Sequence, residues 1–191
     1  SRSIQFDDVK RMKKAELREV FTGMDLVYIY HNQIDARGDK QNTENEVFTA
    51  CEEAVEEIFT LIRRLSGSAN TSHFIVTADH GFIYKRDKLQ ESDKIINLAD
   101  KDAFVNRRFI VSEEALKDDG ILSLPMNKIL GNTDSKMVSV PISSSVFKVT
   151  GGGQNYVHGG SSPQEMIIPV IDVKVEKGHI ETRTAQIMMV S

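Results

Sequence analysis

The stretch 25–77, DLVYIYHNQIDARGDKQNTENEVFTACEEAVEEIFTLIRRLSGSANTSHFIVT, decides the fold. Its opening run, DLVYIYH (25–31), is dense in β-branched and aromatic side chains and reads as a buried strand, parallel to its neighbours. The polar run NQIDARGDKQN (32–42) contains Gly38 and reads as a loop. Val47, Ala50, Cys51, Ala54, Val55, Ile58, Leu61, Ile62 and Leu65 then recur at helical spacing, which predicts a long helix over 43–66. Thr43 and Glu46 have the spacing of a capping box. Arg63 and Arg64 lie in the last turn, where cations favour the helix dipole. HFIVT (73–77) reads as a second, fully apolar strand. Strand, loop, helix and strand make one right-handed crossover unit. The fold class is therefore read as α/β, a mostly parallel sheet with flanking helices.

Toward the N-terminus, residues 8–20 (DVKRMKKAELREV) carry Val9, Met12, Leu17 and Val20 as an apolar stripe and predict a short amphipathic surface helix. Beyond 77 the pattern is less regular. Residues 85–102 are charged and loop-like, 107–111 (RRFIV) suit a strand, and 112–118 suit a short helix. Residues 136–149 (KMVSVPISSSVFKV) suit two short strands or a hairpin, with Pro141 at an edge, a small added β-hairpin region. Gly151, Gly152 and Gly153 allow a sharp loop, and Ser161 to Glu165 has the form of a helix start with proline in its first turn. An alternating run at 182–190 suits an edge strand. The expectation is one domain over 1–191: an N-terminal helix and its flanks (1–24), a core (25–175) and a C-terminal edge strand (176–191).

Composition narrows the function classes. The net charge of −4 supplies no global basic field, so it does not support a nucleic-acid partner, although Arg11, Lys13, Lys14 and Arg18 cluster locally. No apolar run approaches the ~18 residues of a membrane span, so no membrane association is expected. A single cysteine, Cys51, forms no internal disulfide and fits a reducing, cytoplasmic setting, where it reads as a small buried hydrophobe.

Three short motifs carry chemistry. Asp35-Ala36-Arg37-Gly38-Asp39 places two carboxylates four apart just after a buried strand, where oxygen ligands suit a divalent cation; a solvated polar loop is the plainer alternative. Asp79-His80-Gly81 sits at the carboxyl end of an apolar strand, where functional residues of parallel sheets collect. Adjacent side chains on extended backbone diverge, so these two either touch different ions or need a turn that Gly81 permits. His158 lies between glycine-rich segments ahead of a helix start. The combined donors, Asp35, Asp39, Asp79, His80 and His158, form a hard-to-borderline metal set.

In this order the motifs resemble those of the alkaline phosphatase superfamily: Asp-x-x-x-His, then Asp-His-Gly, then a late His. The wording YIYHNQIDARGDK, TADHGFIY and VHGGSSPQEMIIPVI resembles the PglZ domain, most like the type A phosphatases of BREX phage-defence systems, across roughly residues 25–172. The resemblance implies an alkaline-phosphatase-like core fragment and metal-dependent hydrolysis of a phosphate ester or phosphodiester in a longer parent protein. It implies two divalent metals about 4 Å apart, the spacing of two-metal centres. Asp35, Asp39 and His158 would hold one, and Asp79 and His80 would contribute to the other. Asp39 stands where the family has histidine. The added oxygen shifts preference from zinc toward manganese or magnesium, and zinc or manganese ions, two per site in the intact parent, are the expected cofactors. The family's remaining Asp and its Thr or Ser nucleophile come from an upstream strand–helix junction. Residues 1–24 read as a charged helix with flanks and contain no such junction, so the catalytic nucleophile is expected outside 1–191 and these residues alone are expected to be inactive. Other phage-defence proteins are the implied partners. A non-catalytic scaffold within a defence complex is the alternative reading.

Overall fold

A computed structural model describes residues 1–96, 100–149 and 155–176. Its elements follow the order β1 (Arg2–Gln5), α1 (Phe6–Arg11), α2 (Lys14–Phe21), β2 (Val27–Tyr30), α3 (Gln33–Gly38), α4 (Val47–Ser68), β3 (His73–Thr77) and β4 (Ile83–Tyr84). Then come β5 (Lys94–Ile95), β6 (Phe104–Val105), β7 (Ile110–Ser112), β8 (Ile121–Pro125), α5 (Met126–Leu130), β9 (Met137–Pro141), β10 (Val146–Phe147), β11 (Tyr156–Val157), α6 (Pro163–Met166) and β12 (Val170–Lys174). The class is mixed α/β.

The helix read at 8–20 is two helices. Met12 and Lys13 are both extended, and the Glu16 carboxylate turns back to accept the Lys13 N–H at 2.5 Å, restarting the helix. A strand absent from the sequence reading precedes them: β1 pairs in parallel with β2, Ile4 opposite Ile29. With one apolar residue in four, β1 carried no periodic signal.

Phe6, Val9, Leu17, Leu61 and Leu65 form a buried cluster joining α1, α2 and α4, against which Ile4, Ile29 and Phe74 pack from the strands. Each fully buried leucine here contributes roughly 1.5–3 kcal/mol. The sheets themselves differ from expectation. β2 and β3 share no ladder among the described residues; β2 is taken by β1, and β3 pairs antiparallel with β12, Phe74 opposite Val173. Among the described residues most ladders are antiparallel, the parallel ones being β1–β2 and β5–β10, so the mostly parallel sheet is corrected to several small sheets, some parallel and most antiparallel. Nor are the strands buried on both sides. Ile29 and Phe74 turn to the helices, which by the two-residue period turns Tyr28, Tyr30 and Ile75 the other way; they are 49%, 55% and 64% exposed.

The central region is a four-stranded antiparallel sheet in the order β6–β7–β9–β8, with Ile110, Ile121 and Phe147 in its own core. Of the two readings of 136–149, the structure has the two short strands and not the hairpin: β9 is interior to that sheet and β10 pairs with β5. Pro141 is the last residue of β9, opposite Ile121, where the ladder ends and loses little from its missing N–H. Residues 113–118 are not helical; the Ser112 hydroxyl donates to the Glu114 carbonyl and competes with a helix start. The glycines 151–153 and the run 182–190 lie outside the described residues.

Candidate metal centre

Each donor is set by a short local device. After β2 the chain turns at once into α3, so the segment read as loop is helical, with Asp35 in its first turn and Asp39 just past its end. The helix was hidden because its side chains are mostly polar and it is only six residues long. Thr43 does not cap α4; its hydroxyl donates to the Arg37 carbonyl at 2.8 Å and ties the end of α3 to the next turn. A 3-10 turn (Glu44–Glu46) separates the two helices.

Past β3, the Asp79 carboxylate accepts the His80 N–H at 3.1 Å and closes its own turn, and its side chain is 88% exposed. The His80 ring places Nδ1 3.0 Å from the Gly81 carbonyl oxygen. A carbonyl only accepts, so Nδ1 carries the proton and Nε2 presents its lone pair. Gly81 is needed for close approach rather than for an unusual turn: a Cβ there would collide with the Gln164 carbonyl oxygen, and the Gly81 N–H donates to the Glu165 carbonyl at 2.8 Å. The Asp-His-Gly turn is thus fastened to α6.

His158 follows β11, which pairs antiparallel with β4. Its ring stacks on His80, centroids 4.2 Å apart and planes 2° apart. Asp35, His80 and His158 each present one donor atom, and the three atoms lie within 4.8 Å of one another. His80 Nε2 is 3.6 Å from Asp35 Oδ2, and His158 Nε2 is 3.5 Å from Asp39 Oδ1, both beyond a normal hydrogen bond. Two donors each about 2.1 Å from a tetrahedral ion stand about 3.4 Å apart, so this spacing fits donors arranged around a cation. Asp39 approaches from the His158 side. Asp79 stays outside the group, 3.9 Å from His80 Nε2. The structure thus gathers Asp35, His80 and His158, drawn from both of the groups into which the five donors were divided above.

Three further residues, none of them among the five donors named from the sequence, shape the centre. The buried Tyr156 donates its phenol O–H to Asp35 Oδ1. Burial, then the Asp35 carboxylate, push that phenol well above its ordinary range. It lies two residues before His158, on the same side of an extended strand, which was the available signal. Arg108 and Glu165, both buried, form a two-pronged ion pair with both contacts at 2.8 Å. Glu165 also accepts N–H bonds from Gly160 and Ser162 and the Ser162 hydroxyl, fixing the segment just after His158. Burial raises the Glu165 carboxyl, but Arg108, Ser162 and Gly160 together outweigh it and hold the group below its usual value. His31, at the end of β2, serves the fold: it lies 2.9 Å from Glu57 and packs edge-on against Phe6.

Fold and cluster define an α/β domain built around a carboxylate–imidazole site. Residues 1–173 match the family described as the BREX system PglZ alkaline phosphatase-like domain, and the chain belongs to the PglZ family. It is 43% identical over 182 residues to the alkaline phosphatase-like protein PglZ of Bacillus cereus (strain H3081.97), covering 93% of this chain and 21% of that protein. It is 32% identical over 174 residues to the alkaline phosphatase-like protein BrxZ of Escherichia coli O9:H4 (strain HS), covering 90% of this chain and 20% of that protein. The chain therefore spans about a fifth of the length of these curated relatives.

Proposed function

We propose that this region supplies the metal-binding face of a phosphoric ester hydrolase centre, of phosphatase or phosphodiesterase type, within a longer phage-defence protein. The single observation that carries the reading is the convergence of Asp35, His80 and His158 donor atoms within 4.8 Å, from motifs far apart in the chain. Two imidazole nitrogens and a carboxylate oxygen suit zinc or manganese. Such ions, two in the intact centre, would stabilise charge on the attacking and leaving oxygens of a phosphate ester or phosphodiester. The chain's own part is to hold donors. Gly81 fixes the His80 tautomer through its carbonyl, Tyr156 occupies one Asp35 oxygen, and Glu165 anchors the segment after His158. Residues 1–24 do hold a strand–helix junction, β1 into α1, but α1 (FDDVKR) carries no Thr or Ser, so the nucleophile is assigned to the rest of the polypeptide; other phage-defence proteins are its partners.

The test is hydrolysis of p-nitrophenyl phosphate and bis-p-nitrophenyl phosphate by the full-length protein with added zinc or manganese. Metal-dependent turnover that collapses in His80→Ala and Asp35→Ala is expected; full activity in both variants refutes the site assignment. A scaffold role is the second reading, favoured by Asp79, whose carboxylate is spent on its own turn and faces solvent. Undiminished defence and partner binding after alanine replaces all five donors would select it.

A further inference from the structure

We propose that Tyr156 is a positioning residue of this centre, which turns the Asp35 carboxylate so that one oxygen is engaged by the phenol and the other faces the two imidazoles. The inference rests on the metal-centre reading above. It starts from the two oxygens of Asp35. Oδ1 accepts the Tyr156 O–H, and Oδ2 lies 3.6 Å from His80 Nε2. An aspartate with both oxygens unrestrained rotates about its last torsion and offers either oxygen over a broad range of angles. A donor on one oxygen removes that freedom and leaves the other aimed.

The phenol can do this because its ring is held by its strand and by Phe82, His158 and Gly38. β11 is registered on β4, with Tyr156 opposite Tyr84. The ring sits 4.9 Å from Phe82 and 5.8 Å from His158. Its flat face lies against α3 at Gly38, where a Cβ would come within 2.7 Å of three ring atoms. Gly38 follows Asp35 by three residues, so both occupy one face of the helix. The ring therefore rests on the empty Gly38 position and its hydroxyl reaches one turn back to Asp35. Tyr156 and His158 are two apart on extended chain, so one strand end presents an imidazole donor and the group that aims the carboxylate donor. The alternative, that Tyr156 only packs, leaves its directed bond to a ligand candidate without a role.

Partners that orient a metal ligand change affinity about 10–100-fold when removed. The test measures zinc affinity of the full-length protein by competition with a chromophoric chelator, alongside the unfolding midpoint of the metal-stripped protein. Tyr156→Phe keeps the ring against Gly38 and removes only the donor. Zinc affinity about 10–100-fold weaker, with the metal-stripped midpoint nearly unchanged, is expected. Gly38→Ala, which displaces the ring while keeping its hydroxyl, is expected to weaken binding as well. Unaltered affinity in both variants, in a protein whose binding is abolished by Asp35→Asn, overturns the positioning role and leaves the centre standing. Unaltered affinity in Asp35→Asn overturns the centre, and the role of Tyr156 with it.

Discussion

Arg108 has its whole side chain out of water, and each of its three side-chain nitrogens donates to a partner. Nε and Nη2 grip Glu165, and Nη1 donates to the carbonyls of Ser143 and Ser145. Removing one partner strands the other charge in the interior, which costs about 3–5 kcal/mol. Arg108→Ala is expected to lose stability of that order in chemical denaturation. Glu165→Gln tests the same bond by pH. The native carboxyl is held below its unfolded value, so its contribution is complete above the ordinary carboxylate range and is lost as pH falls through the lowered value. Denaturation followed from neutral into acid pH should therefore fall less steeply in Glu165→Gln than in the parent, and parallel curves would contradict it. The burial of this pair is not legible in the sequence. Arg108 is one of two adjacent arginines beside an apolar run, and nothing local says that it turns inward to a carboxylate 57 positions away.

Among the elements, α4 was the most legible and still held a surprise. Its apolar spacing marked the helix, and Leu61 and Leu65 do face the core. Arg64, however, does not serve its own helix end. Its guanidinium donates to the carbonyls of Val9, Lys10 and Met12 and so closes the C-terminus of α1, where the Met12 N–H also reaches the Val9 carbonyl. Arg64→Ala is expected to cost roughly 1–3 kcal/mol by leaving those carbonyls without their charged donor. Arg63→Ala serves as the control in the same unfolding assay; equal losses would reject the capping role. The polar α3 and the four-residue β1 were illegible for the opposite reason. Short elements carry too few periods for a stripe to show, and their existence is decided by what they dock on. Asp35, His80 and His158 could be named because their residue types and neighbouring glycines are unusual at strand ends, whereas Tyr156 looks in sequence like any core aromatic.

At the scale of the whole molecule, the helices α1, α2 and α4 cover one side of the β1, β2 and β3 strands, and among the described residues the other side is bare. Tyr28, Tyr30 and Ile75 line that bare side, and Val170, in register with Thr77, joins them at 71% exposure. A solvent-facing apolar surface has a practical cost when these residues are made alone. Molecules in a concentrated stock meet through it, and turbidity should grow with protein concentration and with kosmotropic salt. Tyr28→Lys combined with Ile75→Lys should keep such a stock clear in light scattering without lowering its melting temperature, since neither ring nor branch supports the helical core. A stock as cloudy as before would place the sticky patch elsewhere.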